Sequence, residues 1–212
     1  MGTDIVIFAN HAIDFSNNNL EYIANDIKYK LDNSIIANRG EIQSQIRSYY
    51  DWQGHDDLVR SKWHREIDNW TGNNWEYFAG FDFSSCTEIC YSGPFKLRIS
   101  FTDKHIQFHD PGCRYNSFFD MEKEYRDVWR KYYYQYISLF GGNIAIYLPD
   151  QGEVAEEFTE KVWDYNPSLE MIVKGLLNKY GQNVIGINDF PHDENGFIDP
   201  PHYFIDTFDD LK

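Results

Sequence analysis

The sequence predicts an α+β fold: a single domain in which an antiparallel meander, with a hairpin inside it, packs against a long central aromatic-rich helix and further helices. Three observations predict it. Between Trp75 and His109 apolar residues recur every second position, the period of a strand with one buried face. Between Phe118 and Phe140 aromatic residues recur at steps of three and four, the period of a helix, and Gly141-Gly142 ends the run. The element order, strand, helix, meander, long helix, strand, helices, strand, departs from the strict alternation of a parallel βαβ succession.

In chain order, Ile5 to Phe8 is a short apolar run suited to one buried strand, bounded by Asp4 and Ala9. Residues 10–19 are polar and turn-prone, and their consecutive asparagines can cap a helix. Leu20, Ile23, Ala24, Ile27 and Leu31 then form an amphipathic stripe, a helix to about residue 31. Residues 35–50 are ambiguous, with a turn at Asn38-Arg39-Gly40 and with Ile42 and Ile46 fitting either period. Residues 51–75 carry four tryptophans and the one locally basic patch, Arg60, Lys62, His64 and Arg65, which a helix through Leu58, Trp63 and Ile67 would turn outward.

The meander comes next. Tyr77, Ala79, Phe81 and Phe83 alternate with polar or small residues, as do Leu97, Ile99 and Phe101. If Thr102 faces His105 across a turn at Asp103-Lys104, Phe101 pairs with Ile106 and Ile99 with Phe108, and every apolar residue lies on one face. Asp110-Pro111-Gly112 ends the second strand. The long helix starts at a cap on Asp120, with Glu122 and Glu124 at its positive dipole end, and carries Tyr125, Val128, Trp129, Tyr132, Tyr136 and Leu139 or Phe140 inward. After the glycine pair, Ile144, Ile146 and Leu148 share one face of a strand. Two helices come after it, Val154 to Trp163 and Leu169 to Tyr180, separated by Asn166-Pro167. Pro167 suits a first helical position and Gly181 the residue past an end. Val184, Ile185 and Ile187 suggest a last strand, and the tail from Asp189 to Lys212 reads as an acidic loop.

The 212 residues are 42% hydrophobic and 18% aromatic, enough for a sizeable core. Thirty-four acidic residues against nineteen basic ones leave a formal charge of −15. That charge repels nucleic acid and anionic membrane surfaces and is suited to a basic protein partner. Three cysteines do not make a disulfide framework, no secretory leader or membrane span is legible, and the expected setting is the cytoplasm. Oligomeric state is open.

No phosphate-binding glycine loop, GxSxG elbow or HExxH helix is present. Cys86, Cys90, His109 and Cys113 are soft ligands of the kind that hold zinc. On one straight strand, however, Cys86 and Cys90 would stand about 13 Å apart, too far to share an ion. Cys113, with Arg114 beside it and His109 four residues back, is the candidate thiolate of a cysteine–histidine hydrolase. In the tail, His192, Asp193, Asp199 and His202 offer oxygen and imidazole ligands for a divalent cation, the one cofactor the sequence suggests.

The charge pattern points elsewhere. Asp150, Glu153, Glu156, Glu157, Glu160 and Asp164 crowd around Lys161 and Trp163, and the tail adds seven more acids. The leading expectation is a non-enzymatic acidic domain that binds a basic protein through this surface, an immunity-type neutraliser of a basic toxin being one concrete form. A small metal-dependent or cysteine/histidine hydrolase, and a self-assembling domain packed through its Tyr-rich helix, are the alternatives.

Overall fold

Seven strands form one antiparallel sheet in the order β2-β3-β4-β5-β1-β6-β7, with helices on both faces. The computed structural model describes residues 4–16, 19–37, 39–42, 44–45, 75–83, 86–93, 97–109, 118, 123–152, 154–181 and 203–212, and of residues 76–83 and 86–87 only the backbone. The strands are β1 (Ile5–Ala9), β2 (Glu76–Phe83), β3 (Cys86–Ser92), β4 (Arg98–Phe101), β5 (Ile106–His109), β6 (Ala145–Pro149) and β7 (Phe204–Asp206). The main helices are α1 (Leu20–Asn33), α2 (Lys123–Leu139), α3 (Glu160–Tyr165) and α4 (Leu169–Tyr180), and a π-helical turn, Ala155–Thr159, leads into α3. The α+β architecture read from the sequence is the one the chain adopts.

The alternation between Trp75 and His109 forms a meander, β2-β3-β4-β5, whose last hairpin has the predicted register: Phe101 opposite Ile106, Ile99 opposite Phe108, with the Thr102 N–H donating to the His105 carbonyl at 3.0 Å. One irregularity breaks the alternation upstream. The β2–β3 register shifts between Ala79 and Phe81, so Gly80 forms a bulge and the strict two-residue period from Tyr77 to Phe83 does not hold.

β1 closes the sheet from the other side. It lies between β5 and β6, pairing Ile7 with both Phe108 and Tyr147. All five of its residues are buried, as a short uninterrupted apolar run demands when both faces are covered.

One core lies under α1 and α2. Ile23, Ala24, Ile27 and Leu31 of α1 point into it, held by an N-cap in which the Asn19 side chain accepts from the Tyr22 N–H. α2 contributes Trp129, Tyr132, Tyr133, Tyr136 and Ile137. Tyr133 stacks on Trp129 with centroids 5.9 Å apart and meets Phe108 edge-on at 5.3 Å.

The buried face of α2 is broader than the predicted stripe. Tyr133, Ile137, Arg126 and Arg130 are inside, whereas Tyr125, Val128 and Leu139 are half-buried. The ambiguous stretch after α1 is helical at 39–42, with Ile42 in this core. The second core lies on the opposite face, where Val6, Phe8, Ile146 and Leu148 meet Val154, Val162, Leu169, Ile172 and Leu176.

The glycine pair after α2 has a specific task. Gly141 takes φ +77°, the left-handed turn that ends a helix, and a Cβ on Gly142 would stand 2.0 Å from the Asn10 carbonyl oxygen. That contact packs the α2–β6 turn against the end of β1, where Asn10 Oδ1 accepts from the Asn143 and Ile144 N–H groups.

Two expectations need correction. Pro167 stands before the cap of α4 rather than in its first turn, because Ser168 caps the helix by accepting from the Met171 N–H. Asn166, in left-handed geometry at φ 44°, is what ends α3. The C-terminal segment is not a loop: β7 pairs with β6, and a 3₁₀ turn, Asp209–Leu211, comes after it.

That segment is tied down by charge. Arg130, buried on α2, donates from Nε and Nη2 to the two oxygens of Asp206 at 2.7 and 2.8 Å, and reaches Asp210 and Asp127 as well. Two of the tail's acids thus share one guanidinium on the α2 side of the sheet. The basic tryptophan-rich stretch (Trp52 to Trp70), the predicted cap at Asp120 and the predicted strand at Val184 to Ile187 lie outside the described residues.

Candidate functional site

Two-residue periodicity has a consequence on the face opposite α1 and α2. With Ile99, Phe101, Ile106 and Phe108 in the first core, Ser100, Thr102, Gln107 and His109 must lie on the second face; Ile89 and Tyr91 send Glu88 and Cys90 the same way. In register, Cys90 stands opposite Ser100, Ser100 opposite Gln107 and Gln107 opposite Phe8. A polar row therefore runs into the apolar patch beneath α3 and α4. Alternation of this kind ordinarily marks a solvent face, but Glu88, Ser100, Thr102, His105 and Gln107 are all buried.

Buried polar groups need partners, and most of these have them. The Ser100 hydroxyl bonds His109 Nε2 and lies 3.1 Å from the Cys90 sulfur. The same imidazole nitrogen is 3.6 Å from a Glu88 carboxylate oxygen, and the Gln107 amide reaches the other ring nitrogen at 3.3 Å. Burial raises the Glu88 carboxyl's pKa, but hydrogen bonds from His109, Ser100 and Cys90 outweigh it and leave the group below its ordinary value. Glu88 is thus an ionised carboxylate inside the protein. Cys90 behaves in the opposite sense: burial, with Glu88 nearby, pushes its thiol up to about 11.

The turn between β4 and β5 forms the next part. Thr102 Oγ1 accepts from the N–H groups of Lys104 and His105 and donates to Asn166 Oδ1 at 3.0 Å, while Asn166 Nδ2 donates to Asp103 at 2.8 Å. The residue that ends α3 is thereby bonded to the hairpin. His11 is held in one tautomer, since its Nε2–H donates to the Thr102 carbonyl and its Nδ1 accepts from the Ile13 N–H. His105 is 2% exposed and packed edge-on against Phe8, and its Nδ1 has no partner among the described residues. Burial lowers its pKa to about 4, so the ring is neutral at pH 7. A half-open cleft of about 10 Å³, lined by Glu88, Thr102, His105, Gln107, Val162, Trp163 and Asn166, joins this polar row to the inner side of α3.

Chemically, the Glu88–His109–Ser100–Cys90 row is a proton-sharing network, not a nucleophilic triad. Serine and carboxylate both approach the same imidazole nitrogen, whereas a triad sets them on opposite nitrogens. The Cys90 thiol is held protonated. No group of three or more His, Cys, Asp or Glu side chains placed to hold a metal ion occurs among the described residues.

The residues singled out in the sequence fare differently. Cys86 and Cys90 lie on one uninterrupted strand, β3, which keeps their backbone positions about 13 Å apart. Cys113, His192, Asp193, Asp199, His202 and Glu153 lie outside the described residues. Asp150 does structural work: its Oδ1 accepts from the Asp4 N–H at 2.7 Å, closing the open end of the β1–β6 pair. Glu157 pairs with Lys179 of α4. Glu156, Glu160 and Asp164 are exposed at four-residue steps on the π turn and α3. They form a ridge with Trp163 half-buried beside it and Tyr165 exposed at its end.

The ridge and the described part of the tail, residues 203–212, lie on different sides of the sheet. Asp206 and Asp210 are bonded to Arg130 on the α2 side, whereas the ridge stands on the opposite layer.

Sequence reading missed the buried polar row. The available signal was its composition: positions 100, 102, 105, 107 and 109 hold Ser, Thr, His, Gln and His, with none of the lysines that usually coat a solvated strand face.

No protein-family model matches the chain, and no curated protein or solved structure matches it.

Proposed function

We propose that the protein is a non-enzymatic binding domain whose π-turn and α3 ridge docks a basic protein. The carrying observation is the juxtaposition of exposed carboxylates at Glu156, Glu160 and Asp164 with Trp163 and the exposed Tyr165, on a chain of net charge −15. Carboxylates on a rim raise the rate at which a cationic partner arrives, and an aromatic side chain beside them supplies the contact area that holds it. A toxin-neutralising role is one form of such binding, and the acidity of the chain is in keeping with it.

The test is capture of protein partners from the native organism's lysate, with wild type and with the Glu156→Lys/Glu160→Lys pair. A basic protein retained at low salt, released at high salt and lost with the variant is the expected result. Capture that is indifferent to both salt and charge reversal would overturn the proposal.

A further inference from the structure

The cleft beneath α3 has a chemistry of its own. Its floor presents the Glu88 carboxylate, the Thr102 hydroxyl, the Gln107 amide and the His105 ring, and its wall presents Val162 and Trp163. One observation points to a ligand, and Glu88, a carboxylate only 4% exposed that His109, Ser100 and Cys90 keep ionised, supplies negative charge beside it. His105 lines the cleft, is almost wholly buried, and has an Nδ1 that no described residue engages.

Size narrows the ligand. About 10 Å³ is the room one water occupies, and it suits the compact ammonium of a lysine but not the flat fork of an arginine guanidinium. Trp163 is one of the cleft's lining residues, and an indole favours a cation because its ring face is negative.

We infer that this cleft receives a primary ammonium, the end of a lysine side chain presented by the basic partner, with Glu88 as its counter-ion, His105 Nδ1 as an acceptor and Trp163 over its methylene stem. The inference rests on the ridge being the docking face, since α3 carries the ridge on its outer side and the cleft wall on its inner side. It adds what the ridge alone does not specify: the partner is anchored by lysine rather than by arginine.

A probe that needs no partner tests it. n-Butylammonium is titrated into protein labelled with ¹⁵N-histidine, and the His105 ring resonances are monitored, their assignment coming from the His105→Asn variant. A saturable shift is expected with n-butylammonium and not with n-butylguanidinium or n-butanol. Binding should be about tenfold weaker in Glu88→Gln, the size of one lost charge-assisted hydrogen bond, and several-fold weaker in Trp163→Leu, whose half-buried position leaves the fold intact.

No saturable shift with n-butylammonium, equal shifts with the three probes, or unchanged affinity in both variants would overturn the inference. A negative titration together with a salt-sensitive, ridge-dependent partner would sink the lysine anchor and leave the binding surface standing. A positive titration with no ridge-dependent partner would do the reverse.

Discussion

His105 makes the stability of this protein depend on mild acid. In the folded chain the ring is 2% exposed, packed on Phe8 and faced by His11, Glu88, Asp103 and His109, and burial lowers its pKa from 6.5 to about 4. The unfolded chain therefore takes up a proton at this site over a range in which the folded chain does not. The stabilisation from keeping the ring neutral is complete above pH 6.5 and is lost as the pH falls toward 4.

At roughly 1 kcal/mol or a little more per pKa unit, that loss is on the order of 1 kcal/mol at pH 5.5 and 2–3 kcal/mol at pH 4.5. His11, also lowered by burial, acts in the same sense. The carboxylates held low by their partners, Glu88, Asp127 and Asp210 among them, lose their stabilisation only at more acid pH, as their own protons bind. Urea unfolding monitored by tryptophan fluorescence from pH 7.5 to 4.5 measures the slope. His105→Asn, which cannot titrate there, should lower stability at pH 7.5 but lose most of the decline between pH 6.5 and 4.5. A decline as steep as in wild type would refute the reasoning, because the proton would then be taken up elsewhere.

Arg130→Met leaves Asp206, 2% exposed, without its bidentate partner, and should cost about 3–5 kcal/mol in urea unfolding. Adding Asp206→Leu should recover a large part of that, and no recovery would show that packing rather than the stranded charge is responsible. Gly142→Ala drives a Cβ to 2.0 Å from the Asn10 carbonyl oxygen and should destabilise by about 3 kcal/mol, near a 10 °C fall in melting temperature; a shift under 2 °C would contradict the packed turn. Cys90, its thiol pushed up to about 11 by burial, should resist iodoacetamide at pH 8 in the folded protein and react once urea unfolds it, as site-resolved mass spectrometry will show. Charge reversal at Glu156 and Glu160 should change stability by less than about 0.5 kcal/mol, since both are exposed, which separates their role in binding from any role in folding.

Local chemistry alone determined a good part of this protein. The 99–108 hairpin register comes from parity and one turn, and α1, α4 and the end of α2 come from stripes of three and four bounded by Asn19, Ser168, Gly181 and the Gly141-Gly142 pair. These signals act within a few residues, where period and capping are decisive.

The tertiary structure decided the rest. Nothing near Ile5 says that β1 will pair with strands more than ninety residues away, and that insertion is what buries both its faces and carries Gln107 and His105 beneath Phe8. Arg126 and Arg130 look like the solvated side of a helix until β7 supplies Asp206, and the tail looks unstructured until Arg130 claims it. The polar side of the hairpin looks exposed until the chain's other segments bury it and α3 closes over its edge. Burial of a polar group is set by whatever the chain brings to it from a distance, and no residue's own sequence neighbourhood contains that information.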